Sequence, residues 1–179
     1  IKGFTITNTH IPATTEITVT KSWSDNNDQD GIRPEEVTLI LKANGTEVGR
    51  ATVDAEDEWS HTFTDLPVKA NGQAITYTVD EAEVAQGYEK TTNGFTVINS
   101  HTPATRDITV TKSWNDNNNQ DGIRPTVINV SLLANGEEVE SMYITASENW
   151  TGIFRGLPVN ANGTPINYTV IENTSLSGY

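Results

Sequence analysis

Ile17-Thr-Val-Thr-Lys-Ser-Trp23 returns letter for letter as Ile108-Thr-Val-Thr-Lys-Ser-Trp114, 91 residues later. The same offset links Gly31 to Gly122, Gly45 to Gly136, Trp59 to Trp150 and Leu66-Pro67 to Leu157-Pro158. It also links Tyr77 to Tyr168, Glu81 to Glu172 and Tyr88 to Tyr179, with no insertion or deletion. A period of this length is too long for a solenoid repeat and marks autonomous small domains in tandem. It also shows the chain to be out of phase with its own unit. Gly94-Phe-Thr-Val-Ile-Asn-Ser-His101 closes one unit, a near copy, Gly3-Phe-Thr-Ile-Thr-Asn-Thr-His10, opens the chain, and no copy follows Tyr179. The expected organisation is a stray strand in residues 1–11, a complete domain in 12–103, and a second domain in 104–179 without its last strand.

Period-two alternation dominates inside each unit. Ile17, Val19 and Lys21 share one face of a strand and Thr18 and Thr20 the other. Val37-Thr-Leu-Ile-Leu41, Ala74-Ile-Thr-Tyr-Thr-Val79 and Phe95-Thr-Val-Ile98 read as further strands. Asn-Gly pairs at 44–45, 71–72, 93–94, 135–136 and 162–163 signal tight turns between them. No segment carries an apolar period of 3.6 over three turns. Each unit is expected to be an all-β sandwich of about seven strands. The connectors His10-Ile-Pro-Ala-Thr-Thr-Glu16 and His101-Thr-Pro-Ala-Thr-Arg-Asp107 are short and stiffened by proline, so the domains are expected to line up end to end.

The net charge of −13 excludes nucleic acid and anionic membrane surfaces as partners. There is no cysteine, so no disulfide braces these small domains. The sequence has no signal peptide, apolar span or anchor; a surface-attached protein would contain it as an excised fragment.

Three residues of the first unit stand out by parity. Lys21 shares the inward face of Ile17 and Val19, and burying an unpaired ammonium is costly. Glu81 follows Tyr77 and Val79 at the same two-residue step. Asn99 continues the inward set of Phe95 and Val97. An amine, a carboxyl and an amide thus converge from the first, penultimate and last strands. At this point a buried ion pair with a hydrogen-bonded Asn, or three unconnected surface residues, explains the pattern as well as reactive chemistry does.

Val-Thr-Lys-x-Trp-x-Asp with Asn-Asn-x-Gln-Asp-Gly-x-Arg-Pro, then Trp59-x-x-x-Phe63-x-x-Leu-Pro67, Tyr77-x-Val-x-Glu81 and Ile98-Asn-x-His101, resemble the B-type repeat of the collagen adhesin (CnaB) family. The match runs through nearly the whole chain in order. The resemblance implies two tandem immunoglobulin-like sandwiches of reversed strand order, in the stalk of a cell-wall-anchored adhesin or pilin outside a Gram-positive cell. It also implies a spontaneous Lys–Asn isopeptide bond assisted by an acid, with Lys21, Asn99 and Glu81 in those roles. Such a bond forms once per domain, so no enzyme and no cofactor are expected. Desolvation supplies the chemistry, because it favours the neutral amine and the protonated acid.

Lys112 and Glu172 repeat the lysine and the acid, and their amide partner falls at the missing strand. The only spare copy is Gly3–His10, which carries Asn8. Its six-residue connector spans at most ~20 Å and cannot cross the first domain. Head-to-tail donation of residues 3–10 to a neighbouring copy fits better, with Asn8 bonded to Lys112; a folded-back monomer, or an excised segment with an incomplete second domain and no such bond, are the alternatives. The other expected partners are neighbouring repeats of the same protein. A host-matrix or glycan-binding module is the alternative function, and an accessory β domain of a secreted enzyme a third; no groove or flanking sequence marks either, and no host ligand is named.

Asn26-x-Asp28-x-Asp30-Gly31 resembles the start of a calcium loop, but Val37 occupies the acidic twelfth position and Pro34 interrupts. A turn built on Asn and Asp side chains is the expected structure. His10, His61 and His101 lack metal-ligand spacing. The in-register tryptophans are read as core or near-core residues.

Overall fold

The computed structural model describes residues 3–175 and 177–179. They fall into two compact units: residues through Asn27 with Ile32–His101, and Asp28–Gly31 with Thr102–Tyr179.

In the first unit the strands are β1 (Thr14–Ser24), β2 (Glu36–Ala43), β3 (Thr46–Asp54), β4 (Ser60–Pro67), β5 (Lys69–Ala70), β6 (Gln73–Ala74), β7 (Tyr77–Glu81), β8 (Glu89–Asn93) and β9 (Thr96–Ser100). One sheet has the order β4-β1-β9-β8 and the other β3-β2-β7, with β5 and β6 a small ribbon between β4 and β7. Strand β1 is antiparallel to β4 and parallel to β9, so the first and last strands of the unit lie side by side. Alternation places Ile17 and Val19 of β1, Val97 of β9, Val37, Leu39 and Leu41 of β2, Val53 and Val79 in one core. Trp23, Trp59, Phe63, Leu66 and Tyr77 pack at its margins.

Turn chemistry explains the hairpins. Asn44-Gly45 and Asn71-Gly72 have positive φ at both residues, the two-residue geometry whose twist matches the flanking strands. Asn44 does more than turn: its Oδ1 accepts the Thr76 N–H at 2.9 Å, tying the β2–β3 hairpin to the chain entering β7. The loop after β1 runs through three successive left-handed residues, Asn26, Asn27 and Asp28, at φ 52°, 57° and 59°. Asn and Asp tolerate this region better than other side chains, which accounts for the run of amides and acids.

The second unit contains β10 (Thr105–Thr111), β11 (Val127–Ala134), β12 (Glu137–Thr145), a 3-10 turn at Ala146–Glu148, β13 (Thr151–Pro158), β14 (Asn160–Ala161), β15 (Thr164–Pro165) and β16 (Tyr168–Glu172). Its sheets are β10-β13 and β12-β11-β16. Even the irregularities repeat: a register shift between Thr15 and Ile17 recurs between Arg106 and Ile108, and one between Leu41 and Lys42 recurs between Leu132 and Leu133. Ile128, Val130, Leu132, Ile144, Phe154 and Leu157 form its core.

Two expectations need correction. Two strands, β8 and β9, follow Tyr88 in the first unit, and among the described residues the second unit has a counterpart of neither. Glu81 therefore sits on the third-last strand of the unit rather than on the penultimate one. Phe95 is not part of the inward set: it lies in the turn before β9 and is 36% exposed. In the described part of the stray N-terminal segment, 3–11, no strand forms; its residues are exposed, Phe4 and Ile6 among them. Residues 1 and 2 lie outside the described residues.

Candidate functional site

Alternation decides which polar residues are buried. Along β1 the inward set Ile17, Val19 and Lys21 continues to Trp23 and, past the strand end, to Asp25. Lys21 is 2% exposed. On β9 the same rule buries Val97 and Asn99. The parallel register pairs Lys21 with Val97 and Trp23 with Asn99, so lysine and amide point to the same side of neighbouring strands, one step apart. From the facing sheet, β7 contributes Glu81, 4% exposed.

Two adjacent acids show how sharply one residue of parity matters. Asp80 points outward, where Lys42 and Lys90 reach it at 2.6 and 2.5 Å and hold its carboxyl well below the usual range. Glu81 points inward, and burial pushes its carboxyl above the ordinary 4.5, against the opposing pull of Lys21 and the Asn99 hydrogen bond. Burial also lowers the Lys21 amine from 10.5 to about 8. Glu81 and Asp25 resist that shift and Arg33 adds to it. Both groups move toward neutrality for one reason, removal from water.

Asn99 Nδ2 donates to Glu81 Oε1 at 3.1 Å. Glu81 Oε2 and Asn99 Oδ1 are buried without a hydrogen-bond partner. The two orientations of a carboxamide are nearly isosteric. Were the acid protonated, a reversed amide would accept a hydrogen bond from the Glu81 hydroxyl and use that orphaned capacity. Lys21 Nζ donates to the Ser22 carbonyl at 3.1 Å and lies 3.7 Å from the Trp23 ring centroid. The indole Nε1 of Trp23 is buried and also lacks a partner. Several unsatisfied polar atoms in one apolar pocket are uncommon and call for an explanation in chemistry.

The sequence motif contains Trp23, Asp25 and Arg33 but assigns them no role beside Lys21. Asp25, 3% exposed, receives Arg33 Nε at 3.1 Å, Arg33 Nη2 at 2.7 Å and the Tyr88 hydroxyl at 2.8 Å. Arg33 lies 5.3 Å from the Trp23 ring, and Trp59 and Tyr88 meet that ring edge-on. The spacing Lys-x-Trp-x-Asp-(x7)-Arg occurs twice in the sequence and could have flagged the set.

In the second unit Lys112 meets Glu172 at 2.8 Å, with side chains 23% and 27% exposed. Asn8, the amide expected there, is exposed and belongs to a segment that pairs with no strand. In the loop, Asp116 Oδ1 accepts the Asn119 N–H and Asn119 Oδ1 the Arg124 N–H, a web of turn-forming side chains.

The sequence profile of the Cna protein B-type domain matches residues 17–100 and 108–179, nearly the whole chain in two copies. The chain belongs to this family. The two Cna B-type domains are 42% identical over 179 residues to the collagen adhesin of Staphylococcus aureus, an alignment covering 97% of this chain and 15% of that protein. The chain thus spans about a seventh of the curated relative it matches. The crystal structure of two B repeat units of the collagen binding protein of the same organism is similar in fold, with a TM-score of 0.86 at 40% identity, over 92% of this chain and 46% of that one. Tandem Cna B-type β-sandwiches are therefore the architecture of this chain.

Proposed function

We propose that this chain is a stalk segment of a bacterial surface adhesin, divided into domains at 12–103 and 104–179, whose first domain locks itself with a Lys21–Asn99 isopeptide bond. The observation that carries this reading is the burial of an amine, a carboxyl and a carboxamide in one apolar pocket, with the first two pushed toward neutrality. The amine Nζ attacks Asn99 Cγ. Protonated Glu81 donates to the amide oxygen as negative charge develops, then returns a proton taken from the amine to the departing nitrogen. The Cγ–Nδ2 bond breaks, the Nζ–Cγ bond forms and one ammonia leaves. Folding holds the partners together, replacing a bimolecular encounter with an intramolecular one of effective molarity on the order of 10⁵ M or more. Turnover ends there, which makes the step maturation rather than enzyme catalysis.

The topology gives the bond a mechanical role. Strands β1 and β9 are parallel neighbours that carry the two ends of the unit. Tension entering at β1 would pass to Lys21, cross to Asn99 and leave at His101. The residues between would lie outside the load path. This suits a spacer outside the cell, in keeping with the family's adhesin relative. Neighbouring repeats of the same protein are the partners such a role requires.

The second domain supports a related reading. Among the described residues strand β10 pairs only with β13, whereas β1 has β9 on its other side. Gly3–His10 resembles the Gly94–His101 segment that contains β9. In a polypeptide of these residues, that segment of one copy enters beside β10 of another and presents Asn8 to Lys112, with Glu172 as the assisting acid.

Intact mass of the folded chain tests the first bond: one ammonia less than the sequence mass is expected, restored by Lys21→Ala. A full sequence mass would remove the crosslink from the account. On a denaturing gel, donation between copies gives a ladder that disappears with Asn8→Ala; monomer alone after long incubation would eliminate it.

A further inference from the structure

The second cluster around Lys21 forms and breaks no bond itself, yet it is more elaborate than packing requires. The Trp23 indole carries a buried Nε1 with no partner, and Trp114 repeats this in the second unit. A phenylalanine would fill such a margin without stranding a donor. What the indole adds is the most electron-rich face among side chains, and cations approach it. Lys21 Nζ is 3.7 Å from the ring centroid and the Arg33 guanidinium carbon 5.3 Å. The guanidinium is held by two parallel bonds to Asp25, a geometry lysine cannot make. Tyr88 fixes Asp25 from the other side of the unit's sequence.

The second unit reproduces all of this. Lys112 Nζ lies 4.6 Å and the Arg124 guanidinium 5.3 Å from the Trp114 ring. Arg124 pairs with Asp116, and the Tyr179 hydroxyl donates to Asp116 at 2.7 Å. The set forms although Lys112 is only half-buried there. Its lysine, indole, acid and guanidinium are thus written into the local segment, with only the tyrosine reaching them from 63 residues away, and the set does not arise as a by-product of burying the lysine.

We propose, on the strength of the isopeptide reading above, that Trp23, Asp25 and Arg33 are positioning residues for that reaction: the Arg33–Asp25 pair clamps the indole over the Lys21 amine and sets how readily the amine sheds its proton. The charged groups around the amine are few. Glu81 faces it from β7, and Asp25 and Arg33 from the segment after β1. Asp25 favours the ammonium and Arg33 the free amine. Pairing them lets Arg33 stay close while most of its field is cancelled. The indole meanwhile excludes water and gives the waiting ammonium a favourable neighbour. Either charge alone would tip the balance, in opposite directions.

Two variants test this. In an Asn99→Ala chain, which keeps its free amine, the Lys21 amine is titrated by NMR with and without Asp25→Asn. The unbalanced Arg33 is expected to lower the midpoint by about half a unit or more. A clamp with only a packing role would loosen, admit water and move the midpoint up toward ~10.4; that shift, or none, overturns the proposal. With Asn99 intact, Arg33→Met leaves Asp25 unbalanced, so ammonia loss on refolding is expected to stall near pH 7 and recover near pH 9. Complete crosslinking at pH 7, or a deficit that higher pH does not repair, also overturns it. If the unaltered chain loses no ammonia, the isopeptide reading fails, whereas the titration is read on a chain that cannot crosslink and reports on the clamp alone.

Discussion

Lys21 and Lys112 stand in identical heptapeptides, each followed by the same Trp, Asp and Arg, yet they occupy different surroundings. Lys21 is sealed in, whereas a quarter of the Lys112 side chain and of its Glu172 partner remains exposed. Val79 is buried and its counterpart Val170 is 37% exposed. In the first unit β9 lies beside β1 and β8 beyond β9; among the described residues β10 of the second unit pairs with β13 alone. Side-chain constellations set by local sequence survive that loss, while those that depend on a closed sandwich do not. The Trp114–Asp116–Arg124 cluster is intact, but the desolvated pocket for the lysine and its acid is open. Dry surroundings, more than the identity of the three groups, separate a reactive site from an ordinary ion pair.

The largest difference to test is covalent. If the proposed Lys21–Asn99 bond forms, Lys21→Ala removes a crosslink spanning most of the first unit. By the loop-entropy argument used for disulfides it should cost that unit about 4–5 kcal/mol. Lys112→Ala in a chain kept monomeric should cost under about 1 kcal/mol, the range of an exposed pair. Similar losses in denaturant melts of the two variants would erase the contrast.

Packing gives the next effect. Ile17→Ala should cost about 2–4 kcal/mol, and Ile108→Ala about half as much, because Ile108 is half-buried beside the open edge. Leu41→Ala and Leu132→Ala serve as the internal control. Both side chains are fully buried, so each should cost about 2–5 kcal/mol and resemble the other. A large asymmetry between the leucines would locate the weakness of the second unit beyond its open edge.

A pH effect sharpens the contrast further. In an Asn99→Ala chain the native Lys21 amine titrates near 8 and the unfolded one near 10.5. Between those values the unfolded state binds more protons, so stability of the first unit should rise with pH across this window. Glu81 acts oppositely: its native carboxyl is raised above 4.5, so stability should fall as pH climbs from there through the native value. Urea midpoints that stay flat from pH 8 to 10.5 would show that Lys21 is solvated. The smallest expected effect belongs to Arg155, whose exposed pairing with Asp107 has no equivalent at Thr64 and Glu16. Arg155→Ala should shift stability by less than about 0.5 kcal/mol.

Much of the first unit can be read without coordinates because its signals are local. Asn44-Gly45 and Asn71-Gly72 turn as two-residue hairpins do, and parity alone sends Lys21, Glu81 and Asn99 inward. Strand β8, Glu89-Lys-Thr-Thr-Asn93, could not be read this way. It is a polar edge strand whose only reason to be extended is its pairing with β9. Phe95 was misplaced for a related reason: its parity is right, but it precedes the strand and turns outward. The contact between Asp25 and Tyr88 joins residues 63 apart in sequence, which no period reveals.

The amino-acid sequence by itself determined the repeat, the inward face of Lys21, Glu81 and Asn99, and the turns at Asn44-Gly45 and Asn71-Gly72, whereas Asn93 ends β8 and its turn falls on Gly94-Phe95. These follow from backbone geometry and alternation within a few residues. Only the tertiary structure decided that Lys21 is dry. Solvent exclusion there requires β1, β7 and β9, from distant parts of the chain, to close over the same pocket, and the heptapeptide around the lysine cannot encode that closure.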